Sequence, residues 1–69
     1  MDSIRVRLNG KDRDVEDGLT VTRLLESLDL NPLLVVVELN REILDRNAYA
    51  STPVGQGDRI ELVHFVGGG

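Results

Sequence analysis

Three glycines in a row, Gly67 to Gly69, close this 69-residue sequence directly after Phe65 and Val66. A run without Cβ atoms passes through channels too narrow for any other residue, and extended it reaches about 10 Å. With Phe65 and Val66 also released from a fold the reach is roughly 17 Å. The expected reactive group is the carboxylate of Gly69, which is unhindered and chemically convertible. A carboxylate donates its acyl group only after activation, for example as an acyl-adenylate. Two plainer readings of the glycines stay open here: a frayed end or an engineering scar.

No catalytic residue is assigned elsewhere. His64 is the single imidazole, and no Ser or carboxylate is placed by spacing to complete a triad with it. It reads as a surface residue of a strand. Asp14 and Glu16 fall on a charged segment, where solubility explains them better than acid–base work. Asp58 suits a turn, bonding the backbone. Gly55 and Gly57 lack the following Lys-Ser/Thr of a phosphate loop and precede a strand, not a helix. With no cysteine in the chain, disulfides, thiolate metal sites and thiol nucleophiles are excluded, and no metal-ligand spacing is present.

Phe65 has two readings. Placed opposite the inward residues of the last strand, Val63, Phe65 and Val66 make a partner-docking patch beside the tail. Alternatively, Phe65 closes one end of the core.

These residues need a scaffold, and the chain has enough aliphatic side chain for one small core, with 41% hydrophobic and 29% charged residues. We expect one domain over residues 1–66 and a flexible Gly tail over 67–69. Eight basic against 12 acidic residues give a net charge of −4. That disfavours nucleic acid and suits partners with basic faces. No segment reads as a membrane span or a signal peptide, so a cytoplasmic protein is expected, monomeric when free.

Ser3 to Leu8 alternates strictly, with Ile4, Val6 and Leu8 on one face, which predicts a half-buried strand. Asn9-Gly10 predicts a tight hairpin into Lys11 to Val15, whose charges suit an edge. Val21, Leu24, Leu25 and Leu28 recur at helical spacing, with Thr20 as N-cap, Leu19 packing on Leu24, and Asn31-Pro32 as the stop. Leu33 to Leu39, apolar except at Glu38, predicts a strand buried on both faces. A turn at Asn40-Arg41 leads into a return strand Glu42 to Leu44. Residues 46–54 read as an irregular crossing. Arg59 to Val66 is the last strand, with Ile60 and Leu62 inward. One helix covering one sheet means a two-layer α+β fold.

Three segments carry a resemblance. Val37-Glu38-Leu39-Asn40-Arg41-Glu42-Ile43, Gly57-Asp58-Arg59-Ile60-Glu61-Leu62-Val63 and the ending Phe65-Val66-Gly67-Gly68-Gly69 together resemble the thiamine-biosynthesis sulfur carrier (ThiS) family. Asn9-Gly10 and Thr20 before Leu24-Leu25 agree with it, so the likeness covers nearly the whole chain.

The resemblance implies a ubiquitin-like β-grasp fold, a mixed sheet of four to five strands packed on one main helix. It implies a carrier rather than an enzyme. A ubiquitin-activating-type adenylyltransferase would use MgATP to adenylate Gly69, the chain itself binding no cofactor. Sulfur from a cysteine desulfurase route would replace AMP to leave a thiocarboxylate, and thiazole synthase would take that sulfur. Gly67 and Gly68 would be the thread entering the partner active sites. Two positions depart from the pattern: Arg41 stands where the family usually has glycine, and Asp45 where it often has proline. Rival readings are a molybdopterin synthase small subunit, a ubiquitin-like modifier that forms isopeptide bonds, and an inert β-grasp interaction module.

Overall fold

The alternation of Ile4, Val6 and Leu8 with Arg5 and Arg7 becomes strand β1 (Ser3–Leu8) in the computed structural model, which describes residues 2–65. Val6 is buried while both arginines face water. At Asn9 and Gly10 the backbone turns with φ of 49° and 82°, the two left-handed residues a tight hairpin needs. The return strand β2 (Lys11–Glu16) pairs antiparallel with β1 from Leu8–Lys11 to Ser3–Glu16. It extends one residue beyond the expected Val15.

Helix α1 (Val21–Ser27) buries Val21, Leu24 and Leu25, and the Thr20 hydroxyl accepts the Arg23 N–H at 3.3 Å as its cap. Leu19 lies half-buried against the core. The helix ends before Asn31-Pro32, contrary to the proline argument. Asp29 adopts φ 58°, its N–H donates to Glu26 O at 3.0 Å, and Leu30 N–H donates to Leu25 O at 2.9 Å. That pair of bonds is a Schellman stop, which satisfies the last carbonyls without proline.

Pro32 opens a 3₁₀ turn instead (Pro32–Leu34), capped by Asn31 Oδ1 accepting the Leu33 N–H at 3.0 Å. The expected strand from Leu33 therefore starts only at β3 (Val35–Leu39), and Leu33 is 71% exposed. Nor is β3 buried on both faces. Val35 and Val37 are buried and Val36 is only half-buried, because the single helix covers one side of the sheet.

At Asn40 and Arg41 φ is 51° and 72°, so Arg41 does occupy the left-handed region where the family usually has glycine. The return strand β4 (Glu42–Ile43) is shorter than expected, with Leu44 N–H still reaching Val37 O at 2.9 Å. Asp45, at φ −62° and ψ 132°, keeps a proline-like backbone, and its carboxylate caps the 3₁₀ turn Arg46–Ala48 by accepting the Asn47 N–H at 2.8 Å. The crossing is thus more ordered than its sequence suggests. It docks on the start of α1 through Val21 N–H to Thr52 O and Val54 N–H to Leu19 O, both 2.9 Å.

Strand β5 (Arg59–His64) stops before the expected Val66, with Ile60 buried and Leu62 packed against the core. The five strands form one mixed sheet in the order β2-β1-β5-β3-β4, parallel only between β1 and β5. This is the two-layer α+β architecture expected, with one main helix on five strands. No helix among the described residues is long and apolar enough to cross a membrane.

Candidate functional site

The strand that leads to the glycines is central in the sheet. Antiparallel pairing sets Val63 opposite Val36 and Glu61 opposite Glu38 on β3. Phe65 N–H then donates to Leu34 O at 2.8 Å, one step past the end of β5. Residues at positions i and i+2 share a face, so Val63 and Phe65 both project from the side of the sheet away from the helix. Each is 55% exposed.

At that exposure Phe65 does not close the core. Half-buried Val36 lies beside Val63, and exposed Ile43 lies opposite Glu38 on β4, extending the same face. Ile43 was legible only as part of a short strand; it is exposed because its side of the sheet lies away from the helix. The face is therefore aliphatic and aromatic around Phe65, with the Glu38–Glu61 pair beside it. Several grouped apolar side chains on an open sheet face favour a partner surface.

The sequence reading missed the device that holds the start of β3 beside Phe65. Tyr49, 3% exposed, donates its hydroxyl to Val35 O at 2.9 Å and accepts the Val37 N–H at 3.1 Å. The guanidinium of Arg46 sits 6.0 Å above the Tyr49 ring and donates to Pro32 O at 3.3 Å and Val35 O at 3.4 Å. Tyr49 and Arg46 thus pin β3 and the 3₁₀ turn whose Leu34 carbonyl receives Phe65. A lone tyrosine in a polar, irregular stretch was the only available signal.

The other candidates take the places assigned to them. His64 is exposed on β5. Asp14 pairs with Arg5 at 2.9 Å, and this hydrogen-bonded cation holds its carboxyl below the ordinary value. Asp58 accepts the Gly55 N–H at 2.7 Å and the Asn40 amide at 3.1 Å, joining two turns. Val66, Gly67, Gly68 and Gly69 lie outside the described residues.

The model of the ThiS family matches residues 6–69. The chain is 43% identical over 65 residues to the sulfur carrier protein ThiS of Bacillus subtilis, covering 93% of this chain and 98% of that one. It is 38% identical over 66 residues to a thiazole synthase of Magnetococcus marinus, and spans 96% of itself but only 20% of that longer protein. The same 20% share holds for the matching thiazole synthase of Paramagnetospirillum magneticum. Among solved structures, the crystal structure of a thiamine biosynthesis protein (ThiS) from Geobacter metallireducens superimposes with a TM-score of 0.79. That comparison has 43% identity and covers 96% of this chain and all of the other.

Proposed function

The chain belongs to the ThiS family, and from that premise we propose that it is a sulfur carrier for thiamine biosynthesis, loaded at Gly69. The observation that carries this reading is the extent of the family match, which runs through the three glycines to residue 69. Without a cysteine in the chain, sulfur has no side chain to occupy. The terminal carbonyl is the position left for it.

In this reading the Gly69 carboxylate attacks the α-phosphorus of ATP on a ubiquitin-activating-type adenylyltransferase, forming an acyl-adenylate and releasing pyrophosphate. Magnesium and ATP belong to that partner, and this chain binds no cofactor of its own. A persulfide from a cysteine desulfurase route displaces AMP to give an acyl disulfide, a thiol reductant cleaves its S–S bond, and the resulting thiocarboxylate is presented to thiazole synthase. Residues 1–66 serve as the folded body, Gly67 and Gly68 as the thread, and Val63, Phe65 and Val66 as the docking patch. The chain catalyses nothing; it is a cytoplasmic substrate of its partners, monomeric between encounters. The likeness to one-fifth of two proteins named thiazole synthase supports that enzyme as the acceptor.

The test is adenylation in vitro. Purified chain offered to its cognate activating enzyme with MgATP should drive exchange of labelled pyrophosphate into ATP, and removal of Gly69 should abolish it. No exchange with the intact chain would overturn the proposal.

A further inference from the structure

The ladder between β3 and β5 determines which backbone groups of β5 remain open. Asn40 N–H donates to Arg59 O at 2.7 Å and Phe65 N–H to Leu34 O at 2.8 Å. In an antiparallel pair such bonded positions alternate, so Arg59, Glu61, Val63 and Phe65 turn their amides and carbonyls toward β3. Ile60, Leu62 and His64 turn theirs the other way, toward β1. Yet β1 is paired with β5 only as far as Leu8 opposite Ile60. Asn9 N–H takes Ile60 O at 2.9 Å, the Asn9 side chain takes Leu62 N–H at 2.7 Å, and the chain then reverses at Gly10. Beyond that point the Leu62 carbonyl and both backbone groups of His64 have no hydrogen-bond partner among the described residues.

The remaining edges are guarded. Strand β2 carries Lys11, Asp12, Arg13, Asp14 and Glu16, a charged border that discourages pairing. Strand β4 is two residues long, and past it the side of β3 is closed by Leu44, Tyr49 and Arg46. The lane vacated by β1 beside Leu62–His64 has no such protection, and the chain continues from it into residues 66–69.

We propose that this lane is a strand-addition site for an extended segment of the thiazole synthase that takes up the tail. The inference rests on the carrier reading above. A strand laid there accepts from His64 N–H and donates to the Leu62 and His64 carbonyls, the main-chain mode by which peptides join exposed sheet edges. It thereby sets the register in which the following glycines enter the active site. A second copy of this chain is a poorer occupant, since each copy carries a net charge of −4.

Proline at position 64 separates this from side-chain docking. The His64 N–H makes no ladder bond, so His64→Pro keeps the β3 pairing while its ring fills the lane. Binding to purified thiazole synthase is measured for the wild type, His64→Ala and His64→Pro, with thermal melting of each alone. His64→Ala should bind like the wild type, and His64→Pro should melt within a few degrees of it and bind at least about tenfold more weakly. In parallel, the wild-type His64 amide should exchange rapidly when free and at least about tenfold more slowly in the complex, a readout that stands even if the proline variant fails to fold. Undiminished binding by a folded His64→Pro, or an unprotected His64 amide in the complex, would overturn the proposal while leaving the carrier role intact. Protection that rises with carrier concentration in the absence of enzyme would assign the lane to a second copy and overturn it too. A wild-type chain that binds neither thiazole synthase nor its activating enzyme would remove the carrier reading and this inference together.

Discussion

The side chain of Asn9 accepts the backbone N–H of Leu62 at 2.7 Å, closing a contact between residues 53 positions apart in the chain. One carboxamide therefore acts as the last rung of the parallel β1–β5 ladder while its own backbone makes the hairpin turn. Asn9→Gly keeps the left-handed backbone and deletes the rung. A loss of about 1 kcal/mol in chemical denaturation is expected, with faster amide exchange at Leu62. An unchanged Leu62 exchange rate would show that the contact contributes nothing.

Tyr49 plays the same part on the far side of β3. In Tyr49→Phe the ring still fills its place, but the buried Val37 N–H loses its acceptor. Leaving such a donor unsatisfied costs about 1–3 kcal/mol, readable as a shift of the denaturation midpoint at constant slope. A shift below about 0.5 kcal/mol would mean that water reaches Val37 in solution.

Arg41 carries backbone strain, with φ at 72°. Arg41→Gly relieves about 1–2 kcal/mol of left-handed strain against roughly 0.5–1 kcal/mol of added chain entropy. The variant should be slightly more stable than the parent, by up to about 1 kcal/mol in thermal or chemical unfolding. Lower stability would show that the arginine makes compensating contacts.

The proposed docking face is tested by truncating what is exposed. Phe65→Ala and Val63→Ala remove side chains more than half in water, so unfolding should change by no more than about 0.5 kcal/mol. Affinity for the activating enzyme should fall about tenfold for Phe65→Ala. Equal affinity would confine recognition to the glycines.

How much of this was readable in the residues follows the range of the interactions involved. The period-two alternation from Ile4 to Leu8, the Asn9-Gly10 turn and the Thr20 cap are local, and each forms as expected. The orientation of Val63 and Phe65 followed from Ile60 and Leu62 turning inward, again a matter of alternation. The errors arose where a local rule met a competing one. Pro32 looked like the helix stop, yet a left-handed Asp29 had already ended the helix, a conformation that asparagine and aspartate adopt but do not announce. Leu33 and Leu34 looked like strand because they are apolar, whereas Pro32 fixes them in a 3₁₀ turn. Tyr49 and Arg46 were missed because their partners, Val35, Val37 and Pro32, are brought to them only by the tertiary fold. The same holds for the lane beside His64, which exists because β1 is shorter than β5 needs.

In the proposed role, Gly69 carries sulfur as an acyl group. Intact-mass and C-terminal fragment analysis of the chain, recovered from cells growing without thiamine, tests it directly. A fraction of molecules should have one oxygen replaced by sulfur, localised to Gly69 and lost when the activating enzyme is deleted. A chain carrying only its ordinary carboxylate under those conditions, while thiamine synthesis proceeds through it, would contradict the account.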